Sequence, residues 1–398
     1  MALMLVRLLF VARLLDTSAF GQFSAGLLVS TTFYALGSLG LQAVLYRDLP
    51  IMIVRGRART GVVLVAQCII VACGCAGVGV IFALAGWSVA GLSAPLLVIS
   101  LLHGWSQQTF MVACAEVRSR GDPLGFARQS FARSIAVLGA GATVAAVTAS
   151  PAWTLLVEAV ASLLVARAPL TSAFRSARIS APAAYRLALH RLPQAPWRSA
   201  GALFALGWVG FVISNADRWI GAEWLSASDF AHYAFAWTVL MVAQSGQLLV
   251  NASVFPLLAR RYAKHGSHIA YRTCVWVSGG LLVLGALLSF PFWVMLDAGI
   301  VRWFPAYRPA LELIPLFVIL AVLRVSDYWT SFMIIVGQEA LLLGLNIVAG
   351  IVASLGWVIW VRPWQGAIAL WDIGLLAVVL GAVNYAVTGA ACWLVSRR

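Results

Sequence analysis

The residues of this chain best placed to do chemistry are charges set inside apolar runs: Arg7, Glu158, Asp217, Arg218, Arg324, Asp327 and Asp372. A charge at mid-bilayer costs about 2.5–3.5 kcal/mol on insertion scales, so each is read first as functional. Glu312 and Arg167 lie near run ends, where long side chains reach back to water, and carry less weight. Asp372 lies one to two turns inside the last run. Covalent chemistry finds no support. There is no Gly-rich loop ending in Lys-Ser/Thr, and the sole lysine, Lys264, sits in a basic loop, so ATP hydrolysis at a P-loop is excluded. No Gly-x-Ser-x-Gly, His-Glu-x-x-His or Asp-x-Asp occurs. His265 and His268 form a lone loop pair. The six cysteines (68, 73, 75, 114, 274 and 392) lack metal-ligand spacing and read as small apolar fillers. No catalytic residue, metal or cofactor is expected.

Two of the charges acquire partners from an internal repeat. The run Leu15-Asp16-Thr17-Ser18-Ala19-Phe20-Gly21-Gln22-Phe23 matches Leu225-Ser226-Ala227-Ser228-Asp229-Phe230-Ala231-His232-Tyr233 at an offset of 210, which Leu39 and Leu249 keep. The offset maps Arg7 onto Asp217 and Arg13 onto Glu223, opposite charges twice over. Residues 7 and 13 are separated by about 9 Å along a helix. One reading makes these inter-lobe ion pairs that close an outer gate. The other pairs Asp217 inside its own lobe, or leaves all four charges at the membrane interface. Arg324 and Asp327, three apart, share a helix face and are read first as a self-neutralising pair, with a titrating Asp327 as the alternative.

The elements that hold these charges follow from composition. Of 398 residues, 62% are hydrophobic and 10% charged, with a mean hydropathy of +0.94. Soluble domains carry roughly 25% charged residues, so the solvent here is lipid. Runs of about 20 apolar residues count as spans. Twelve are expected, at 1–12, 20–46, 61–85, 87–115, 129–149, 151–170, 199–222, 229–256, 273–296, 309–336, 340–361 and 366–394. The first is short: either the chain begins inside a helix, or that helix does not fully cross. Arg7 and Arg13 argue against a cleavable signal peptide. One set of loops holds the basic residues from Arg47 to Arg59, Arg118 to Arg133, Arg175 to Arg198, Arg260 to Arg272, and Arg397 with Arg398. The other holds Arg13, Arg302, Arg308 and Arg362. The first set is expected to be cytoplasmic, with both termini inside. The formal charge of +14 therefore reflects topology and anionic membrane lipids, not nucleic acid. Most of the seventeen tryptophans flank spans (Trp87, Trp153, Trp197, Trp303), as interfacial belts do; Trp208 and Trp237 lie inside.

The expected architecture is all-α: a six-helix lobe over 1–172, a basic cytoplasmic linker over 173–198 and a second six-helix lobe over 199–398. Six intervening spans make the lobes parallel, related by an axis along the membrane normal, with substrate between them.

The stretch Ala12-Arg13-Leu14-Leu15, with Phe20-Gly21-Gln22-Phe23, Gly40-Leu41 and Arg47-Asp48, resembles the opening of bacterial polysaccharide flippases. Asn215-Ala216-Asp217-Arg218, with Phe230 and Tyr233-Ala234-Phe235-Ala236, is similar to the start of their second lobe. These proteins belong to the multidrug/oligosaccharidyl-lipid/polysaccharide exporter superfamily. The resemblance covers two stretches in sequence and the whole chain in layout. It implies a V-shaped bundle that alternates access and flips an undecaprenyl-pyrophosphate-linked oligosaccharide for O-antigen, capsule or exopolysaccharide assembly. The place would be the bacterial inner membrane, with lipid-linked oligosaccharide, membrane lipids and other polysaccharide-assembly membrane proteins as partners. The short first helix departs from the pattern, as does a count of twelve spans where some relatives have fourteen.

Under that reading Arg7, Arg13, Arg47 and Arg218 would line a cationic, pyrophosphate-binding cleft. Asp217, Glu223, Arg324 and Asp327 would serve gating or coupling. Arg47 has a plainer reading as a topology anchor. A Na⁺- or H⁺-coupled drug or small-molecule exporter of the same superfamily is the rival within transport. A membrane polysaccharide polymerase or ligase is the rival enzyme. It calls for a sizeable outward loop, and here the largest is about Asp297 to Arg308.

Overall fold

Two helix starts show how local sequence sets the frame. Asp16 accepts the Ala19 amide at 2.7 Å and opens one helix, and Ser226 accepts the Asp229 amide at 3.1 Å and opens another. An N-cap side chain satisfies an amide that the first turn cannot. The two caps are 210 residues apart, and the likeness continues along the helices. Phe20 stacks on Phe23 at 6.3 Å between ring centroids, and Phe230 stacks on Tyr233 at 6.3 Å. It also reaches the basic loops: Gly56 and Gly266, 210 apart, both adopt positive φ, 71° and 79°.

A computed structural model describes residues 2–361 and 369–397. Arg362 and Arg398, counted among the loop cations, lie outside the described residues. Among those described, every element is helical: α1 (Ala2–Leu14), α2 (Thr17–Leu36), α3 (Leu41–Val54), α4 (Ala58–Leu84), α5 (Ala94–Ser119), α6 (Pro123–Thr148), α7 (Pro151–Ser176), α8 (Ala181–His190), α9 (Trp197–Trp224), α10 (Ala227–Trp303), α11 (Ile314–Ser326), α12 (Trp329–Ile335), α13 (Glu339–Val361) and α14 (Leu370–Ser396), with two short 3₁₀ turns. The chain divides into two compact units, Val6–Phe211 and Val212–Arg398 with Met1–Leu5. The division falls inside α9.

By length and composition, eight of the described helices can cross a membrane, or nine if α2 and α3, bent by 49°, form one span. The rest of the twelve expected spans fall on α1, on α5 and on the first part of α10. At 13 residues α1 is short, as expected. The centre of α5 is polar, with His103, Ser106, Gln107, Gln108 and Thr109. The spans expected at 229–256 and 273–296 both lie in α10, which is two helices joined at a break at Gly266. The span expected at 20–46 is broken and longer. Gly40 at the break has φ 83°, and a Cβ there would stand 2.0 Å from the Ala200 carbonyl oxygen, so only glycine fits.

In the first unit, Leu41, Val44, Leu45 and Leu49 of α3 pack on Leu64, Val65 and Cys68 of α4. The segment expected as a linker is docked to the same unit. Ala184 and Ala188 of α8 are buried against α4, and Gln67 donates to the Arg191 carbonyl at 3.0 Å. In the second unit, Leu258, Cys274, Tyr328, Phe332, Met333 and Cys392 form the core around the junction of α11 and α12. Four of the six cysteines are buried, as their reading as apolar fillers required; Cys73 is exposed.

Candidate functional site

Each unit buries one polar cluster where its helices converge. In the first unit, α1 brings Arg7, α5 brings His103 and α7 brings Glu158. Glu158 and His103 are fully buried, and Arg7 is 6% exposed. Arg7 Nη1 lies 3.3 Å from Glu158 Oε2, and His103 Nε2 lies 3.4 Å from the same oxygen. On its other edge His103 Nδ1 meets the Ser30 hydroxyl of α2 at 2.7 Å. Room for the carboxylate comes from Gly141 of α6: a Cβ there would stand 2.5 Å from Glu158 Oε1. Arg7 also lies over the Phe23 ring, 5.8 Å from its centroid.

Arg133 joins this cluster from α6. It donates from Nε to Ser162 on α7 at 3.2 Å and lies over Phe110 at 5.1 Å, while its buried Nη2 has no hydrogen-bond partner. Counting Arg133 with the loop cations was therefore wrong: α6 begins at Pro123, and Arg133 lies well inside it. A second polar chain runs beside it, with Gln108 donating to Gln42 at 3.1 Å and Gln42 to the Tyr46 hydroxyl at 2.7 Å.

In the second unit, Asp217 of α9 is 3% exposed and accepts the Tyr233 hydroxyl of α10 at 2.5 Å. Arg218 turns to the Trp237 ring, 4.2 Å from the centroid, and donates to Asn215 at 3.4 Å. Trp237, inside a span, is thus a cation-π partner. Asp217, Arg324 and Asp327 all line a cavity of about 200 Å³, with Ser214, Gln247, Asn384 and Tyr385.

Arg324 and Asp327 do not form the expected pair. The helix α11 ends at Ser326, and Asp327 has left helical geometry at φ −78°, ψ 90°. Residues three apart meet only while the helix continues. Asp327 Oδ2 accepts Thr330 at 3.3 Å, and Oδ1 is buried with no partner. The break itself is lined by thiols. Cys274 of α10 donates to the Tyr328 carbonyl at 3.3 Å, and Cys392 of α14 donates to the Trp329 carbonyl at 3.3 Å.

The remaining expected residues lie apart from these clusters. Arg13 is exposed in the last turn of α1. Arg47 is exposed and held by Asp48 through two hydrogen bonds of 2.6 and 3.0 Å. Glu223 is exposed near the end of α9. Asp372 caps α14, accepting the Ala369 amide at 2.9 Å. Arg7 and Asp217, paired by the repeat, are each held within their own unit, by Glu158 and Tyr233. Among the described residues, no group of three His, Cys, Asp or Glu could hold a metal ion. Sequence reasoning missed His103, Ser30, Arg133 and Tyr233. Of these His103 left a signal, a histidine in the polar centre of a run expected to span.

No protein-family model matches the sequence, and no curated protein matches it. Solved structures do. An inward-facing multidrug resistance MATE family transporter of the MOP superfamily aligns over 99% of this chain and 94% of its own, with a TM-score of 0.68 at 11% identity. A mutant of the Vibrio cholerae MATE transporter VcmN aligns over 100% and 92%, with a TM-score of 0.60 at 14% identity. A MATE protein in complex with MaL6 aligns over 99% and 96%, with a TM-score of 0.55 at 11% identity. The chain therefore has the fold of MATE transporters: an all-helical, multi-pass membrane bundle.

Proposed function

We propose that this protein is a flippase that moves a polyprenyl-pyrophosphate-linked oligosaccharide across the bacterial inner membrane by alternating access. The transporter fold supports the general class, and the two flippase-like stretches support the cargo. The observation that carries the reading is the charge balance of the first unit. Arg7 is held by the buried carboxylate of Glu158, whereas Arg133 donates to the Ser162 hydroxyl and keeps a buried Nη2 without an acceptor. A buried excess of guanidinium calls for an anion. Pyrophosphate suits it, because the guanidinium fork matches phosphate oxygens two at a time. No bond in the cargo breaks.

The test is reconstitution of the full chain with a fluorescent polyprenyl-pyrophosphate-linked sugar in one leaflet. Wild type should equilibrate the label between leaflets. R133Q should slow this at least about tenfold, the loss of one charge-assisted contact, with unchanged yield and melting. Wild-type protein that leaves the label in place would overturn the reading. A second reading, export of small cationic molecules, is favoured by the two carboxylates on the cavity of the second unit. It predicts concentration of ethidium across the same vesicles, abolished in D217N.

A further inference from the structure

The cavity of the second unit holds an unusual set of groups for a site of about 200 Å³. Asp327 Oδ1 and Asn384 Oδ1 are both acceptor oxygens, both buried and both without a hydrogen-bond partner. Asp217 supplies a second carboxylate, already bonded to Tyr233. Such a concentration of acceptors in an apolar wall, opened by a helix break, asks for a cation or a donor. The break at Asp327 aims the carboxylate where a continuous helix would not.

One cation is already there. Arg324 lies on the same cavity wall, one turn before Asp327, and no ion pair engages its guanidinium. Two carboxylates and one guanidinium leave the lining with a single net negative charge when all are ionised. A diffusible alkali ion would have to shed its water next to a fixed positive charge, and repulsion between desolvated like charges is strong.

We propose that Arg324 is a built-in cation for this cavity. Its fixed positive charge on the cavity wall offsets the carboxylates of Asp217 and Asp327 in place of a diffusible ion, and thereby excludes alkali-metal ions from the site. Arg324 is thus the residue that sets ion specificity, and transport runs without sodium. The inference deepens the transport reading, yet it is measured on ion binding alone. Its failure leaves the cargo reading standing, and failure of cargo transport leaves it untouched.

The experiment compares melting of the full chain in detergent, in sodium chloride and in choline chloride at equal ionic strength. The wild-type curves should coincide. R324Q should acquire a saturable, sodium-specific rise of about 2 °C or more, the linkage expected of a ligand that binds only the folded chain. R324Q/D327N should lose that rise, and R324K should stay insensitive like wild type. A merely structural arginine would lower melting in both salts alike, without creating sodium dependence. Sodium-specific stabilisation of wild type that D327N removes would overturn the proposal, as would a folded R324Q blind to sodium. Should R324Q not fold, binding of radioactive sodium to wild type by equilibrium dialysis decides: none supports the proposal, and binding abolished by D327N refutes it.

Discussion

Tyr233 donates its hydroxyl to Asp217 at 2.5 Å, sixteen positions along the chain. In the other unit the residues at the repeat-equivalent positions, Arg7 and Phe23, also touch, with the guanidinium 5.8 Å from the ring centroid. The same contact is thus built twice with different chemistry. One copy is a hydrogen-bonded carboxylate, the other a cation on a ring face. In the copy that holds a phenylalanine, the charge at position 7 needs a counter-charge from elsewhere, and Glu158 supplies it.

This gives a first prediction. Y233F should leave a buried carboxylate without its donor and cost about 1–3 kcal/mol. D217N keeps an acceptor for the hydroxyl and should cost less. Melting of the purified protein compares them; D217N falling further than Y233F would contradict the assignment.

The Arg7–Glu158 pair predicts a sharper asymmetry. Removing one partner of a buried pair costs about 3–5 kcal/mol, while removing both leaves no bare charge. E158Q should therefore melt well below wild type, because Arg7 is then buried without its counter-charge. R7M/E158Q should recover part of the loss. Equal damage in E158Q and the double variant would show that Arg7 has another partner.

These clusters also mark what could be read from sequence. The helix frame was legible, because caps and apolar runs are local: Asp16 and Ser226 announce two helix starts, and the repeat aligns them. The charges were legible as anomalies. Their partners were not, since Arg7 and Glu158 lie 151 positions apart and no spacing links them. Arg133 reads as a loop cation because it stands near the start of the run expected at 129–149, close behind Arg128, where a charge counts with the flanking loop. The break at Asp327 was hidden for a different reason. The segment Arg324-Val325-Ser326-Asp327-Tyr328-Trp329 contains neither glycine nor proline, so nothing local stops the helix. Tertiary contacts do.

Glycine positions separate strain from collision. G56A meets open space and should cost only the left-handed backbone penalty, about 1–2 kcal/mol. G40A adds a Cβ 2.0 Å from the Ala200 carbonyl and cannot be relieved by a side-chain movement. It should abolish folded, monodisperse protein in size-exclusion chromatography where G56A does not. Comparable yields of the two would mean that α3 and α9 are not in contact there.

The last prediction concerns the two thiols at the helix break. Ending α11 at Ser326 leaves carbonyls with no intrahelical donor, and in a bilayer water does not reach to satisfy them. The Tyr328 carbonyl at the start of α12 accepts the Phe332 amide at 3.1 Å, and Cys274 adds a second donor to it, while Cys392 donates to the Trp329 carbonyl from another helix. The thiol is a weak donor and adds a second bond to a carbonyl that keeps a backbone donor, so each contributes about 0.5–1 kcal/mol. C274A should lower melting by that order, and C274S, which keeps a donor of similar shape, should stay close to wild type. C392A and C392S should behave alike in kind. The double alanine variant should do more, because the break holds Asp327 on the cavity wall: it should let the segment re-form a continuous helix and withdraw the carboxylate. Hydrogen exchange over 324–332 reads this directly. Slower exchange at the break in C274A/C392A than in wild type is the expected result; unchanged exchange, with melting equal in the alanine and serine variants, would leave the thiols as mere packing.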